Sequence, residues 1–211
     1  IKIDDLVKIL KNANIDFSLS ENFEYFIKID KLSNDIYELL EKGYLYVQNP
    51  SSALVVKLFN FNKNDKILDI CAAPGGKLTL MNQLMNNQLY IDANDSNIIR
   101  LNKLKQNVEN LSIGNISYFN EDLFKFSISD KYDHILLDAP CSSTGTIRKN
   151  PDVKWRITSE SISKFSYQQA QMLKYISKFL KIGGSIIYST CSIEYEENTN
   201  IINNFLKENK S

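Results

Sequence analysis

The stretch Lys66-Ile-Leu-Asp-Ile-Cys-Ala-Ala-Pro-Gly-Gly-Lys77 restricts the fold of this chain more than any other. Ile67, Leu68 and Ile70 form a short apolar run with Asp69 near its carboxyl end, the pattern of a buried strand. Pro74 fixes one φ angle, and Gly75 and Gly76 accept backbone angles and a close ligand approach that side chains forbid. A helix starting near Lys77 then turns its free N–H groups toward whatever lies over the turn. Strand, glycine turn and helix in this order predict the ligand-cradling corner of a doubly wound α/β sheet. A Gly-Gly turn by itself also suits an α/β protein that binds nothing there.

The next apolar run weighs against that plainer reading. Gln88-Leu-Tyr-Ile-Asp-Ala-Asn-Asp95 ends in acids at roughly the distance where such folds place a carboxylate for a ribose hydroxyl, which makes Asp95 the candidate ribose ligand. No G-x-G-x-x-G is present, so a nicotinamide or flavin cofactor is disfavoured and S-adenosylmethionine is the expected guest.

Size and composition narrow the class. With 211 residues, 43% of them hydrophobic, the chain can bury one sizeable core, expected as one main domain with a small N-terminal addition. No apolar run approaches the ~20 residues of a membrane span. The chain begins at Ile1 without a basic-then-apolar signal segment and is read as a piece of a longer intracellular protein, placed in the cytoplasm. Cys71, Cys141 and Cys191 lie far apart, against a zinc site or a secreted disulfide frame, so free thiols and no metal are expected. Acids and bases balance at 25 each, so the molecule as a whole does not seek nucleic acid by net charge.

Read in order, Asp4–Ala13 suits an amphipathic helix, Tyr25–Ile29 a strand and Asp35–Leu40 a helical turn. Nine acids outweigh six lysines before Gly43, and no chemistry is visible there. Tyr44–Ser52 reads as a strand running into a helix capped by Ser51 or Ser52, with the helix spanning about Ala53 to Phe59. Ile98–Leu111 reads as a helix and Ile116–Phe119 as a strand. Asp122 follows at the sheet edge, where it can face an adenine or cap a turn. His134, the sole histidine, sits at the far end of the strand reaching Asp138 and is read as a bystander.

A second corner, Asp138-Ala-Pro-Cys-Ser-Ser-Thr-Gly145, again follows an apolar strand, and the last strand, Gly184–Cys191, delivers another cysteine. Ligands sit at the carboxyl ends of such strands, so Asp138, Cys141 and Cys191 should share a crevice with Asp69 and Asp95. Cys71 is read as packing. Cys141 and Cys191 are read as displayed and reactive, because each lies in a loop just past a strand end.

These residues resemble the Sun-type, RsmB-like family of RNA (cytosine-5) methyltransferases. The likeness runs from about Tyr44 to Phe205 and is carried by Asp69-Ile-Cys-Ala-Ala-Pro-Gly-Gly-Lys77, Asp138-Ala-Pro-Cys-Ser142, Asn150-Pro-Asp-Val-Lys-Trp155, Ser189-Thr-Cys-Ser-Ile193 and the Glu196-Glu-Asn198 tail. The resemblance implies a Rossmann-like S-adenosylmethionine-dependent methyltransferase sheet over residues 44–211 and a small α+β extension over 1–43. The family's RNA-binding domain ahead of this region and its final β-hairpin are absent from the chain as given. It implies a cofactor site of Asp69, Cys71, Ala72, Ala73, Pro74, Gly75, Gly76, Lys77, Asp95, Arg100, Asp122 and Asp138.

By the same resemblance Cys191 is the nucleophile that adds to carbon 6 of cytosine, because carbon 5 is a poor nucleophile until something adds there. Asp138 would hold the base at N3 and its amine, and Cys141 would serve the release step. Lys77 is either a solvated helix-start residue or a member of this site, its charge helping to keep Cys191 reactive. The implied partner is RNA, ribosomal RNA first, with its target base out of the stack, no membrane and a monomeric state. Residues 146–181 carry eight bases against Asp152 and Glu160. Of these, Arg148, Lys149 and Lys154 are the phosphate candidates, whereas a solvated helix face explains Lys174, Lys178 and Lys181 equally well. Transfer RNA as substrate, or a catalytically silent RNA-binding or assembly role, are the alternatives.

Overall fold

A computed structural model of the chain describes residues 1–23 and 25–209. The first elements are α1 (Ile3–Asn12), β1 (Phe17–Leu19), β2 (Ile27–Ile29) and α2 (Asn34–Glu41). Strands β1 and β2 pair antiparallel, with Phe17 opposite Ile29, so the expected strand Tyr25–Ile29 is shorter than its apolar run. Leu6, Leu10, Ile36 and Leu39 close a separate small cluster with Ile15, Phe17 and Leu45.

The segment expected as a strand from Tyr44 has no strand pairing and runs as irregular chain to Asn49. Helix α3 (Pro50–Lys57) then starts two to three residues earlier than the serine caps predicted. Pro50 takes the first helical position, where its missing N–H costs nothing, and Asn49 is the cap, its side chain accepting from the Ser51 N–H at 3.1 Å.

From there strands and helices alternate through β3 (Lys66–Asp69), α4 (Gly76–Leu84), β4 (Tyr90–Asn94), α5 (Ile98–Asn110), β5 (Ile116–Phe119) and β6 (Tyr132–Asp138). The short α6 (Val153–Arg156) and the long α7 (Ser159–Ser177) lead to β7 (Leu180–Ser189), and α8 (Thr199–Glu208) follows. The sheet order is β5-β4-β3-β6-β7 with every pairing parallel. Successive side chains on these strands alternate faces, so Ile67, Ile91 and Leu136 pack under α3, α4 and α5, while Leu68, Ile135 and Leu137 pack against Met172, Leu173 and Ile176 of α7.

Two further differences have local causes. Helix α7, absent from the elements expected above, begins at a capping box in which Thr158 and Ser161 exchange bonds, and buries Gln169, Met172, Leu173 and Ile176 at helical spacing. The chain after Cys191 forms not one helix but a 3₁₀ turn (Tyr195–Glu197) followed by α8, because Asn198 leaves helical angles. Its side chain holds the preceding loop instead, Nδ2 donating to Ser192 O at 3.0 Å and Glu194 O at 2.8 Å. His134 lies near the amino end of β6, away from Asp138, and is bonded to Asp65 at 3.0 Å and Ser185 at 2.7 Å.

Leu68 is fully buried at the centre of the sheet. Leu68→Ala is expected to lower unfolding free energy by about 2–5 kcal/mol in a denaturant titration, while Ile182→Ala, on an exposed stretch of β7, should change it by less than about 0.5 kcal/mol.

Candidate active site

The order β4-β3-β6 places a topological switch between β3 and β6: the chain leaves β3 to one side and returns on the other. A crevice opens at the carboxyl ends of two such strands, and here those ends carry Asp69 and Asp138. After Asp69 the turn is tied down by Ile70 N donating to Leu136 O (3.1 Å) and Ala72 N donating to Asn94 O (3.0 Å). Gly75 has φ +103°, and a Cβ there would lie 2.3 Å from Leu104 Cδ1 of α5, so both backbone angle and packing demand glycine. No side chain caps α4, whose first N–H groups face the turn. One wall of the cleft is Asp69 and Cys71–Lys77, the other is Tyr46–Asn49 and Ser52, and Asp138 closes one end.

Asp69 is 1% exposed, and its Oδ1 has no hydrogen-bond partner among the described residues. Burial first, then the charge of Asp138, push its carboxyl up to about 8, with Lys77 pulling the other way. An unpaired buried acceptor at a cleft wall, beside an uncapped helix start, fits a polar ligand group seated there. Cys71 is half-buried, and burial followed by the fields of Asp69 and Asp95 pushes its thiol up to about 12. It therefore stands among acids, which disfavour its thiolate.

Asp95 reaches the end of β4 but is only 3% exposed. Its Oδ2 accepts from Ala73 N (3.3 Å) and its Oδ1 from Asn97 N (2.9 Å). Arg100 lies 3.6 Å from Asp95 Oδ2 and donates to Ala73 O, so it braces the glycine turn from behind and is not on the cleft wall. Asp122 is exposed and off the same wall, its Oδ1 accepting from Phe124 N at 2.8 Å as the turn cap that was one of its two readings.

Asp138 and Ser189 are register partners, so the loops after β6 and β7 leave the sheet side by side. Ala139 N donates to Ser189 O and Gly145 N to Cys191 O, zipping the two loops together. The result brings Cys141 Sγ to 3.1 Å from Cys191 Sγ. Cys191 also lies 3.3 Å from the Ser143 hydroxyl. The Cys141 thiol foremost, then Ser143, lower the Cys191 thiol to about 6 against the opposing effects of partial burial and Asp138. The shared proton pushes Cys141 up instead. Lys77 engages Asp138 instead of a thiol, its Nζ donating to Asp138 Oδ2 at 2.5 Å, while Ser189 Oγ donates to Asp138 Oδ1 at 2.6 Å.

Sequence reasoning missed Ser143 and Ser189, although both flank the cysteine motifs, and missed Tyr46 and Gln48, for which no motif exists. Gln48 Nε2 reaches back to Gly76 O at 2.8 Å. Arg148, Lys149 and Lys154 are all exposed beyond the Cys141 loop, and Lys154 lies over the ring of Trp155, itself 83% exposed. Lys174 and Lys181 instead engage Glu208 and Asp133, and Lys178 covers Tyr175. Among the described residues no helix is long and apolar enough to cross a membrane, and no cluster of three or more His, Cys, Asp or Glu could hold a metal ion.

Residues 56–211 match the family described as 16S rRNA methyltransferase RsmB/F. The chain is 33% identical to the ribosomal RNA small subunit methyltransferase B of Photorhabdus laumondii over 207 residues, 97% of this chain and 48% of that protein. The crystal structure of PH0851 superposes with a TM-score of 0.93 at 32% identity, covering all of this chain and 48% of that one. NSun6 from Pyrococcus horikoshii, solved with the S-adenosylmethionine analogue SFG, gives 0.78 at 33% identity over 86% of this chain and 46% of that one. The chain spans less than half the length of the curated relatives it matches.

Two outcomes follow from this geometry. Alkylation of Cys191, followed by peptide mapping, is expected to rise with pH through about 6, because a lowered thiol pKa leaves the thiolate populated above that value and lost below it. Gly75→Ala is expected to destabilise the fold by more than about 1 kcal/mol in denaturant titration, since φ and Leu104 both oppose a methyl group.

Proposed function

We propose that this chain, which belongs to the RsmB/F family of 16S rRNA methyltransferases, transfers a methyl group from S-adenosylmethionine to carbon 5 of a cytosine in RNA, ribosomal RNA first. The observation that carries this reading is the Cys141–Cys191 pair at 3.1 Å beside the Lys77-bound carboxylate of Asp138, at the end of a glycine-turn cleft. Residues 44–211 form the methyltransferase unit, and 1–43 are an accessory extension.

Asp69, the turn from Cys71 to Lys77 and Asp138 line the cleft and would hold S-adenosylmethionine, with Asp95 at the neighbouring strand end for ribose and Arg100 bracing the turn. That molecule supplies an electrophilic methyl group. The Cys191 thiolate, already favoured near neutral pH, adds to carbon 6 of the base, forming a carbon–sulfur bond and moving an electron pair toward carbon 5 and N3. Asp138 and its partner Lys77 face the charge that builds on the ring. Once carbon 5 carries the methyl group, its proton must leave so that the ring electrons can return and the sulfur–carbon bond can break. Cys141, in contact with Cys191, is placed to take part in that release.

A base inside a helix cannot reach Cys191, so the target cytosine is unpaired or flipped out. Arg148, Lys149 and Lys154 would meet phosphates on the approach, with Trp155 among them as an aromatic face.

With an unmodified small-subunit ribosomal RNA transcript, Cys141→Ala is expected to accumulate a covalent protein–RNA species stable on a denaturing gel. Cys191→Ala is expected to lose that species and to lower methylation by on the order of a thousandfold or more. Methylation by Cys191→Ala at the wild-type rate would falsify the nucleophile assignment.

A further inference from the structure

Behind the two cysteine loops lies a carboxylate with no part in the chemistry above. Glu197, at the end of the 3₁₀ turn, is 0% exposed. Burying a charge is costly unless it is hydrogen-bonded, and among the described residues this one is met by three donors and no cation. Ser142 N donates to Oε2 at 2.9 Å and to Oε1 at 3.3 Å. Gln169 Nε2 donates to Oε2 at 3.0 Å, and Ser192 Oγ donates to Oε1 at 3.0 Å.

The identity of those donors is the point. Ser142 directly follows Cys141, and Ser192 directly follows Cys191. One carboxylate therefore ties the residue after each thiol, although the two lie 50 positions apart in the chain. Gln169 of α7 adds a third tie, its same amide nitrogen also donating to Pro140 O (2.9 Å), just ahead of Cys141. From the other side Asn198 holds Thr190 Oγ1 at 2.7 Å and Ser192 O at 3.0 Å, the two neighbours of Cys191. Two acceptor oxygens meet all three donors at once, whereas an amide at the same place would turn N–H toward Ser192 Oγ and reverse that bond.

We infer that Glu197 is a positioning residue for the methyl-transfer site, its carboxylate setting the spacing and orientation of the Cys141–Cys191 pair from behind. This inference rests on the proposed use of both thiols. The groups that face the pair directly are Asp138 with Lys77 bound to it, and Ser143, so Glu197 works through the backbone and not through contact with the base. The Glu-Glu-Asn tail thereby acquires a role: Glu197 joins the loops, and Asn198 breaks the helix to hold one of them.

Glu197→Gln keeps the size and replaces one acceptor oxygen by a donor. In the full chain, with the same ribosomal RNA transcript, it is expected to lower kcat about a hundredfold, the scale of an ångström-level misplacement of reacting groups, while KM for S-adenosylmethionine and binding of S-adenosylhomocysteine stay unchanged. Alkylation of Cys191 at neutral pH, read without RNA, should slow in the same variant as the thiols separate. Ser192→Ala removes only the tie on the Cys191 side and is expected to shift both readouts in the same direction by less. It carries the test if Glu197→Gln does not fold. A folded Glu197→Gln, or in its absence a folded Ser192→Ala, with wild-type kcat and wild-type alkylation overturns the inference. Loss of S-adenosylhomocysteine binding in step with kcat does so too, because the damage is then general. Failure of the nucleophile reading shows separately, as methylation by Cys191→Ala with the alkylation difference still present.

Discussion

The parallel pairing of β3 with β6 is the constraint on which the site depends. Ile67 lies beside His134 and Asp69 beside Leu136, so two strands separated by more than sixty residues end at one rim. A crevice forms there because the connections leave in opposite directions, and nothing of the backbone crosses the gap. The glycine turn, the Asp138 loop and, through the β6–β7 register, the Cys191 loop all open into the region this pairing creates. The sheet packs against helices on both faces, and a close-packed core deforms little, so the rim holds a defined geometry.

Crowding of acids at that rim gives the site its electrostatic character. Asp69, Asp95 and Asp138 sit close enough to feel one another, and the protein handles each differently. Asp138 is met by Lys77 and Ser189, Asp95 by backbone N–H groups and Arg100, while Asp69 is left buried with a free oxygen and its carboxyl pushed up. A thiol in such company is expected to be disfavoured as an anion, and Cys71 is. Cys191 escapes because it has a second sulfur and a hydroxyl as hydrogen-bond partners, a local solution to an unfavourable field. Below the pair, Glu197 adds a buried carboxylate met by donors from both cysteine loops and from α7.

Several parts of this arrangement were legible from residues alone. The β3–turn–α4 corner, the strand Ile116–Phe119 and the two cysteine loops stand where apolar runs, strand-ending acids and Pro-Cys or Thr-Cys breaks put them, because each is a local pattern. Tyr44–Gln48 misled because its aromatic and β-branched residues have a strand's composition, whereas here Leu45 packs in the N-terminal cluster, Tyr46 to Gln48 line the cleft beside α3, and the segment has no strand pairing. The serine caps failed on a neighbour effect, Pro50 claiming the first helical position. Arg100 and Asp122 sat at plausible positions, yet their side chains turn to backbone partners, a choice made by competing hydrogen bonds that spacing does not report. Lys77 lay in a recognisable motif, but its pairing with Asp138 spans 61 positions and has no sequence signature.

By itself the amino-acid sequence determined the class of sheet, the acids and cysteines at its strand ends and the family to which they belong, since periodicity, turn residues and motif spacing act over a few neighbouring positions. Only the tertiary structure decided that the two sulfurs touch, that Ser143 meets Cys191 while Lys77 engages Asp138, and that one buried carboxylate ties both cysteine loops. Those contacts join residues dozens of positions apart, and their geometry is set by strand register and by which donor wins each acceptor in a dry interior, quantities that exist only once the chain has folded.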